Sequence, residues 1–220
     1  MPSPTSHDRR QFLGVLGAMA ATSATGGGLP ELATLPPGDW DMSWVDRVAA
    51  AKYKTAFDST TFADGAALDL AAGIWNDFRE VYGRDDDVRM VIVMRQLGAP
   101  MAFNDYMWNK YGIGEERQVN DPVTKRPATR NPYASGTSDD PAWAADSKLD
   151  NLYKRGAIFL VCNRASMNWA ARAAERTKTP VEDVRNDVRK NLVPGAILMP
   201  TGVFAMARAQ NAGCAYMRGA

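Results

Sequence analysis

An apolar run that stops at a thiol constrains this chain more than any other feature. Ala157-Ile-Phe-Leu-Val-Cys162 is preceded by Gly156 and followed at once by Asn163 and Arg164. Four to eight apolar residues between a glycine and a polar break read as a strand buried on both faces, as in parallel sheets. Such a strand needs helices above and below it, so the run commits its neighbours as well as itself. In open sheets of this kind, ligands sit beyond the carboxyl ends of the strands. Cys162 falls at that end.

The neighbours supply the alternation that this strand demands. Tyr53–Phe57 reads as a strand closed by the turn Asp58-Ser59-Thr60-Thr61. Asp64–Tyr82 reads as an amphipathic helix, with Leu68, Ala71, Ala72, Trp75 and Phe78 on one face and Gly83 closing it. Val88–Met94 is a second buried strand, ending at Arg95-Gln96. Phe103–Tyr111 reads as a short helix, and Trp143–Lys154 as a helix leading into the thiol-bearing strand. Ser166–Thr177 and Pro180–Asn191 follow as helices, the second with Thr179 as its cap and Pro180 in the first helical position. Ala196–Met199 is a strand, Pro200-Thr201-Gly202 a turn, Val203–Ala212 a helix and Cys214–Arg218 a last strand. With right-handed crossovers, this order predicts a three-layer α/β fold around a mainly parallel five-stranded sheet.

Two regions stand outside the rhythm. Residues 1–28 carry the layout of an export signal: Asp8-Arg9-Arg10-Gln11-Phe12-Leu13 resembles the twin-arginine motif, a weakly apolar run follows, and small residues end at Gly26-Gly27-Gly28. The apolar run is too short to span a bilayer, which takes about 20 residues. The expected location is the periplasm, with membrane contact only through the signal segment if it is retained. Residues 29–51 read as a Pro-rich linker and a short helix over Asp41–Ala51, and 52–220 as the α/β domain. Within it, Gly112–Pro141 is an insertion with Pro122, Pro127, Pro132, Pro141, Lys125, Arg126 and Arg130, expected to be a functional loop or docking arm.

Composition excludes several classes of chemistry. The only histidine, His7, lies in the signal, so the remaining chain has no imidazole. Ser–His and Cys–His catalysis, His-ligated metals and c-type haem attachment are therefore not expected. The formal net charge of +1 falls to zero once Asp8, Arg9 and Arg10 leave, which argues against nucleic acid as a partner. No strand is followed by a glycine-rich phosphate loop, and Asp85-Asp86-Asp87 lacks the alternate spacing of a calcium loop. No cofactor and no metal is expected.

What remains converges on the carboxyl ends of the strands. There the sequence places Ser59 and Thr60, Arg95 and Gln96, Cys162, Asn163 and Arg164, and Thr201 and Gly202. Cys162 is the candidate catalytic residue, because a helix N-terminus and nearby arginines favour the thiolate, the reactive form. Arg95, Asn163, Arg164, Thr201 and Gly202 are the candidate substrate-binding residues. The alternative reading of Cys162 is an inert buried thiol. A disulfide to Cys214 is a further possibility in an oxidising compartment, opposed by the placement of the two at opposite edges of a parallel sheet. Asp58 and Asp105 lack paired partners at informative spacing and read as surface or capping residues.

The block Val193-Pro194-Gly195-Ala-Ile-Leu-Met-Pro200-Thr201-Gly202-Val203, with Ala209-Gln210-Asn-Ala-Gly213-Cys-Ala-Tyr216-Met after it, resembles the C-terminal signature of the DsrE-like sulfur-relay family. The strand ending in Cys162 resembles that family's cysteine-bearing strand, and the likeness in element order runs over roughly residues 52–218. It implies a flavodoxin-like sheet, homo-oligomers and a persulfide-carrying cysteine at Cys162. Two functions follow as expectations. One is a periplasmic protein that binds or relays sulfane sulfur through Cys162. The other is a non-catalytic accessory subunit on the periplasmic face of a membrane electron-transfer or light-harvesting complex, with Trp40, Trp44, Met101, Phe103, Met107 and Trp108 as candidate docking residues and core packing as the alternative use of the same side chains.

Overall fold

In the computed structural model, residues 39–136 and 142–219 are described; the expected export signal and most of the linker lie outside them. Five parallel strands form one sheet: β1 (Tyr53–Ser59), β2 (Val88–Met94), β3 (Ile158–Cys162), β4 (Ala196–Met199) and β5 (Ala215–Arg218). Every residue of β3 is buried, as the unbroken apolar run requires. Residue pairs Met94↔Val161 and Cys162↔Met199 set the register at the carboxyl edge.

The strand order is β4-β3-β2-β1-β5. The three-layer α/β class is as expected, while the order differs from the 2-1-3-4-5 of flavodoxin-like sheets. The chain steps one way across the sheet from β1 to β4 and then returns past three strands to pair with the far side of β1. Right-handed crossovers put the first three connections on one face and the return on the other. On the return face, α1 (Trp44–Ala49) and the β4–β5 helix pack Trp44, Val48, Ala205 and Ala209 onto Ala56, Val91, Val93, Ile158 and Leu160. Alternation along the strands turns Phe57, Ile92 and Phe159 to the opposite face.

That opposite face carries α2 (Ala66–Tyr82), α3 (Asp105–Lys110), α4 (Ile113–Arg117), α5 (Ala142–Asp146), α6 (Leu149–Lys154), α7 (Asn163–Thr177) and α8 (Val181–Lys190); α9 (Gly202–Asn211) is the returning helix. Several boundaries move from the expected ones. Gln96–Ala102, assigned to no element from the sequence, forms a 3-10 segment around Pro100, and α3 starts two residues later than predicted because the Asn104 side chain caps it, accepting from Met107 N–H. The single helix predicted over Trp143–Lys154 is broken at Lys148, whose backbone is extended. Pro180 caps α8 with ψ 134° instead of occupying its first turn.

The insertion is folded rather than an open arm. Asn131 is buried, and its side-chain amide donates to Met101 O and Phe103 O, both at 2.7 Å, while Asp105 accepts from Asn131 N–H at 2.9 Å. At Gly114, a Cβ would run into the backbone of Ala128, so α4 and the arm touch main chain to main chain. Such contacts satisfy buried polar groups that a loose arm would leave in water. Lys125, Arg126 and Arg130 remain exposed on its outer side. Residues 137–141 are outside the description.

Candidate functional site

The geometry of the crossovers decides where a crevice opens. After β3 the chain passes to one face, and after β4 it passes to the other, so the two connections part above neighbouring strands. Ligands of open α/β sheets bind in that kind of gap. A cleft of about 560 Å³ lies there. Its walls are Arg95, Gln96 and Leu97 after β2; Cys162, Arg164, Ala165, Asn168 and Arg172 from β3 and α7; and Thr201, Gly202 and Val203 at the start of α9.

Cys162 is the last residue of β3 and the cap of α7. Its Sγ accepts the Ala165 N–H at 3.3 Å, and its carbonyl accepts the Ser166 hydroxyl at 3.0 Å. The thiol is 7% exposed, and that small opening faces the cleft. The sulfur is thereby fixed at the N-terminus of a 15-residue helix. Both Cys162 and Cys214 are free, so no disulfide joins them.

Arg95 is at the rim but already has a partner. Its Nε–H donates to Asp58 Oδ1 at 2.6 Å and its Nη2–H to Oδ2 at 2.7 Å, a bidentate pair; the Tyr216 hydroxyl donates to the same Oδ2 at 3.2 Å. The guanidinium is raised above its ordinary value, first by the hydrogen bonds to Asp58, against the cost of burial; Tyr216 and Cys162 add weaker attractions. Asp58, expected at a surface or cap, is 5% exposed and paired. Parallel pairing of β1 with β2 brings it beside an arginine 37 positions away, a proximity that no local spacing signals.

Gly202 is explained by the same arginine. A Cβ there would lie 2.5 Å from Arg95 Cβ and 2.7 Å from Cδ, so only glycine lets the arginine stem cross the start of α9. Thr201 lines the cleft, and its Oγ1 accepts from Phe204 N–H at 3.0 Å, capping α9. Arg164 is exposed at the cleft as expected. Asn163 is not among the walls: as the first residue of α7 it is buried behind Cys162. Gln96 takes φ 51°, a left-handed conformation that costs a non-glycine residue about 1 kcal/mol or more. The turn leaves Leu97 half exposed beside the cleft.

Sequence reasoning missed Asn168 and Arg172, although the signal was present. Arg164, Asn168 and Arg172 recur at four-residue spacing, which places them along one face of a helix. No Asp or Glu lines the cleft. A second depression of about 400 Å³, where the arm meets α2, is bounded by charges of both signs (Asp64, Asp69 and Lys148) and has no cysteine.

The residues nominated for docking are mostly interior. Trp44, Met101, Phe103, Met107 and Trp108 are fully buried, and only Trp40 is half-buried. Phe103 packs edge-on against Trp169, and Trp108 donates its indole N–H to Pro100 O. Core packing, not a surface, is the use these side chains are put to.

No protein-family model matches the sequence, and no curated protein matches it either. Among solved structures, a protein of unknown function from Methanobacterium thermoautotrophicum is similar, with 16% identity over 76% of this chain and 98% of that one and a TM-score of 0.37.

Proposed function

We propose that this protein accepts and relays sulfane sulfur through Cys162, as an exported relative of the DsrE-like proteins working in the periplasm with other protein subunits. The observation that carries the proposal is the placement of the thiol. Cys162 caps α7 at the parting of the β3 and β4 connections, opening into a cleft walled by three arginines and no carboxylate. A nucleophilic sulfur needs to be reachable by its donor, and an opening onto this cleft supports that reading.

The step is a simple exchange. The Cys162 thiolate attacks the terminal sulfur of a hydropersulfide or polysulfide donor; a new S–S bond forms, the donor's own S–S bond breaks, and the donor thiolate leaves with that electron pair. The transferred sulfur keeps its proton, and no external oxidant or reductant takes part. Reversal of the same step onto an acceptor thiolate completes the relay. A nucleophile that enters as the thiolate calls for no general base.

Exposure of the purified chain to polysulfide, followed by intact-mass and peptide analysis, tests the proposal. The expected result is the added mass of sulfur on the Cys162 peptide, retained in Cys214→Ser and lost in Cys162→Ser. Sulfur carried equally by Cys162→Ser, or by neither cysteine, contradicts it. The accessory-subunit reading loses its motivation from aromatic and methionine side chains, since those lie in the core.

A further inference from the structure

We infer that the cleft selects an anionic donor whose transferable sulfur is carried on a sulfonyl group, thiosulfate being the simplest, held by Arg164 and Arg172. This rests on the sulfur-accepting reading of Cys162 and narrows it to a donor class. A thiolate attacking a dianion meets repulsion that a neutral hydropersulfide would not present, so such a donor requires unneutralised cations beside the nucleophile. The cleft has them. Arg95 is matched by Asp58, whereas Arg164 and Arg172 are exposed and have no hydrogen bond or ion pair with another described residue.

Eight positions apart on α7, they stand about 12 Å apart along the helix axis, with the Asn168 amide between them. Two long side chains can close on one small oxyanion across that span, and a planar guanidinium matches paired oxygens. A carboxylate on α4 is engaged elsewhere. Glu116 accepts the Trp169 indole N–H at 2.8 Å and lies 3.4 Å from Arg176 and 3.3 Å from Arg117. Arg117 is depressed below its ordinary value, first by burial; attraction to Glu116 opposes this, and weaker repulsion from Arg172 and Arg176 adds to it.

In the step, Cys162 Sγ attacks the outer sulfur of thiosulfate. The Sγ–S bond forms, the bond from that sulfur to the sulfonyl sulfur breaks, and sulfite leaves with its electron pair. Three negative charges enter, on thiolate and dianion, and three leave, on persulfide and sulfite, with no redox partner needed.

The test compares thiosulfate with polysulfide on the full chain and on the Arg164→Gln/Arg172→Gln variant, following persulfide on the Cys162 peptide and free sulfite. Both arginines are exposed, and an unchanged thermal melt verifies that the variant folds. The expected result is sulfite released mole for mole with persulfide, and a thiosulfate rate lower by about tenfold or more in the variant, a larger fall than that of the polysulfide rate. Loading by polysulfide but not by thiosulfate, or equal rates for the variant and the unaltered chain, overturns the donor class alone. Loading by neither donor overturns the reading of Cys162 and this inference with it.

Discussion

The two cysteines are the same side chain at the same 7% exposure, yet they occupy opposite ends of the sheet. Cys162 closes β3 at the carboxyl edge, where its sulfur meets a helix N-terminus and a cationic cleft. Cys214 precedes β5 at the amino edge, enclosed with Trp44, Val48, Ala205 and Ala209, and burial pushes its thiol up to about 11, against a weaker pull from Lys54. Burial alone therefore does not distinguish the two positions. In a parallel sheet, the end of the strand decides which groups the sulfur faces, because helices begin at one edge and finish at the other.

The contrast can be broken most violently at the carboxyl edge. Asp58→Ala strands a mostly buried Arg95 without its bidentate partner and should cost about 3 kcal/mol, read by urea unfolding. Replacing both, as Asp58→Ala with Arg95→Met, should recover a large part of that loss. A double variant no more stable than the single one would mean that the pair is not what holds the rim. Gly202→Ala comes next, at about 1–2 kcal/mol, because its methyl meets an arginine stem whose head is fixed.

At the amino edge the expected effects shrink and leave the cleft untouched. Cys214→Ala should cost about 1 kcal/mol without altering sulfur loading of Cys162. A pH dependence sharpens the difference. With the native thiol at about 11 and the unfolded one near its ordinary 9.0, the unfolded chain gives up its proton first. Stability from Cys214 is thus complete below about pH 9 and is lost as the pH rises towards 11, by on the order of 1 kcal/mol. Cys214→Ala should flatten that slope, and an unchanged slope would assign it elsewhere.

The layered fold was legible because β2 and β3 are unbroken apolar runs and the helices between strands announce themselves at helical spacing. Strand order was not, since nothing local in Ala215–Arg218 says that the last strand crosses back to β1. Of the site, Cys162, Arg95, Arg164, Thr201 and Gly202 were found from strand ends alone, and all five line one cleft. Asn163 falls outside the cleft walls because adjacency to Cys162 in sequence becomes a buried position at the start of α7. Asp58 was misread because its partner arrives through sheet pairing. The arm between 112 and 136 was mistaken for an open loop because its order comes from Asn131, Asp105 and Gly114, single residues with tertiary partners and no repeating pattern.

Competitive labelling of the native full-length chain with a small alkylating agent at neutral pH, resolved by peptide mass spectrometry, tests most directly whether strand end governs thiol chemistry here. Cys162 should be modified at least about tenfold faster than Cys214, which should react only when the chain unfolds. Equal rates, or a Cys162 that stays unmodified until unfolding, would contradict the account.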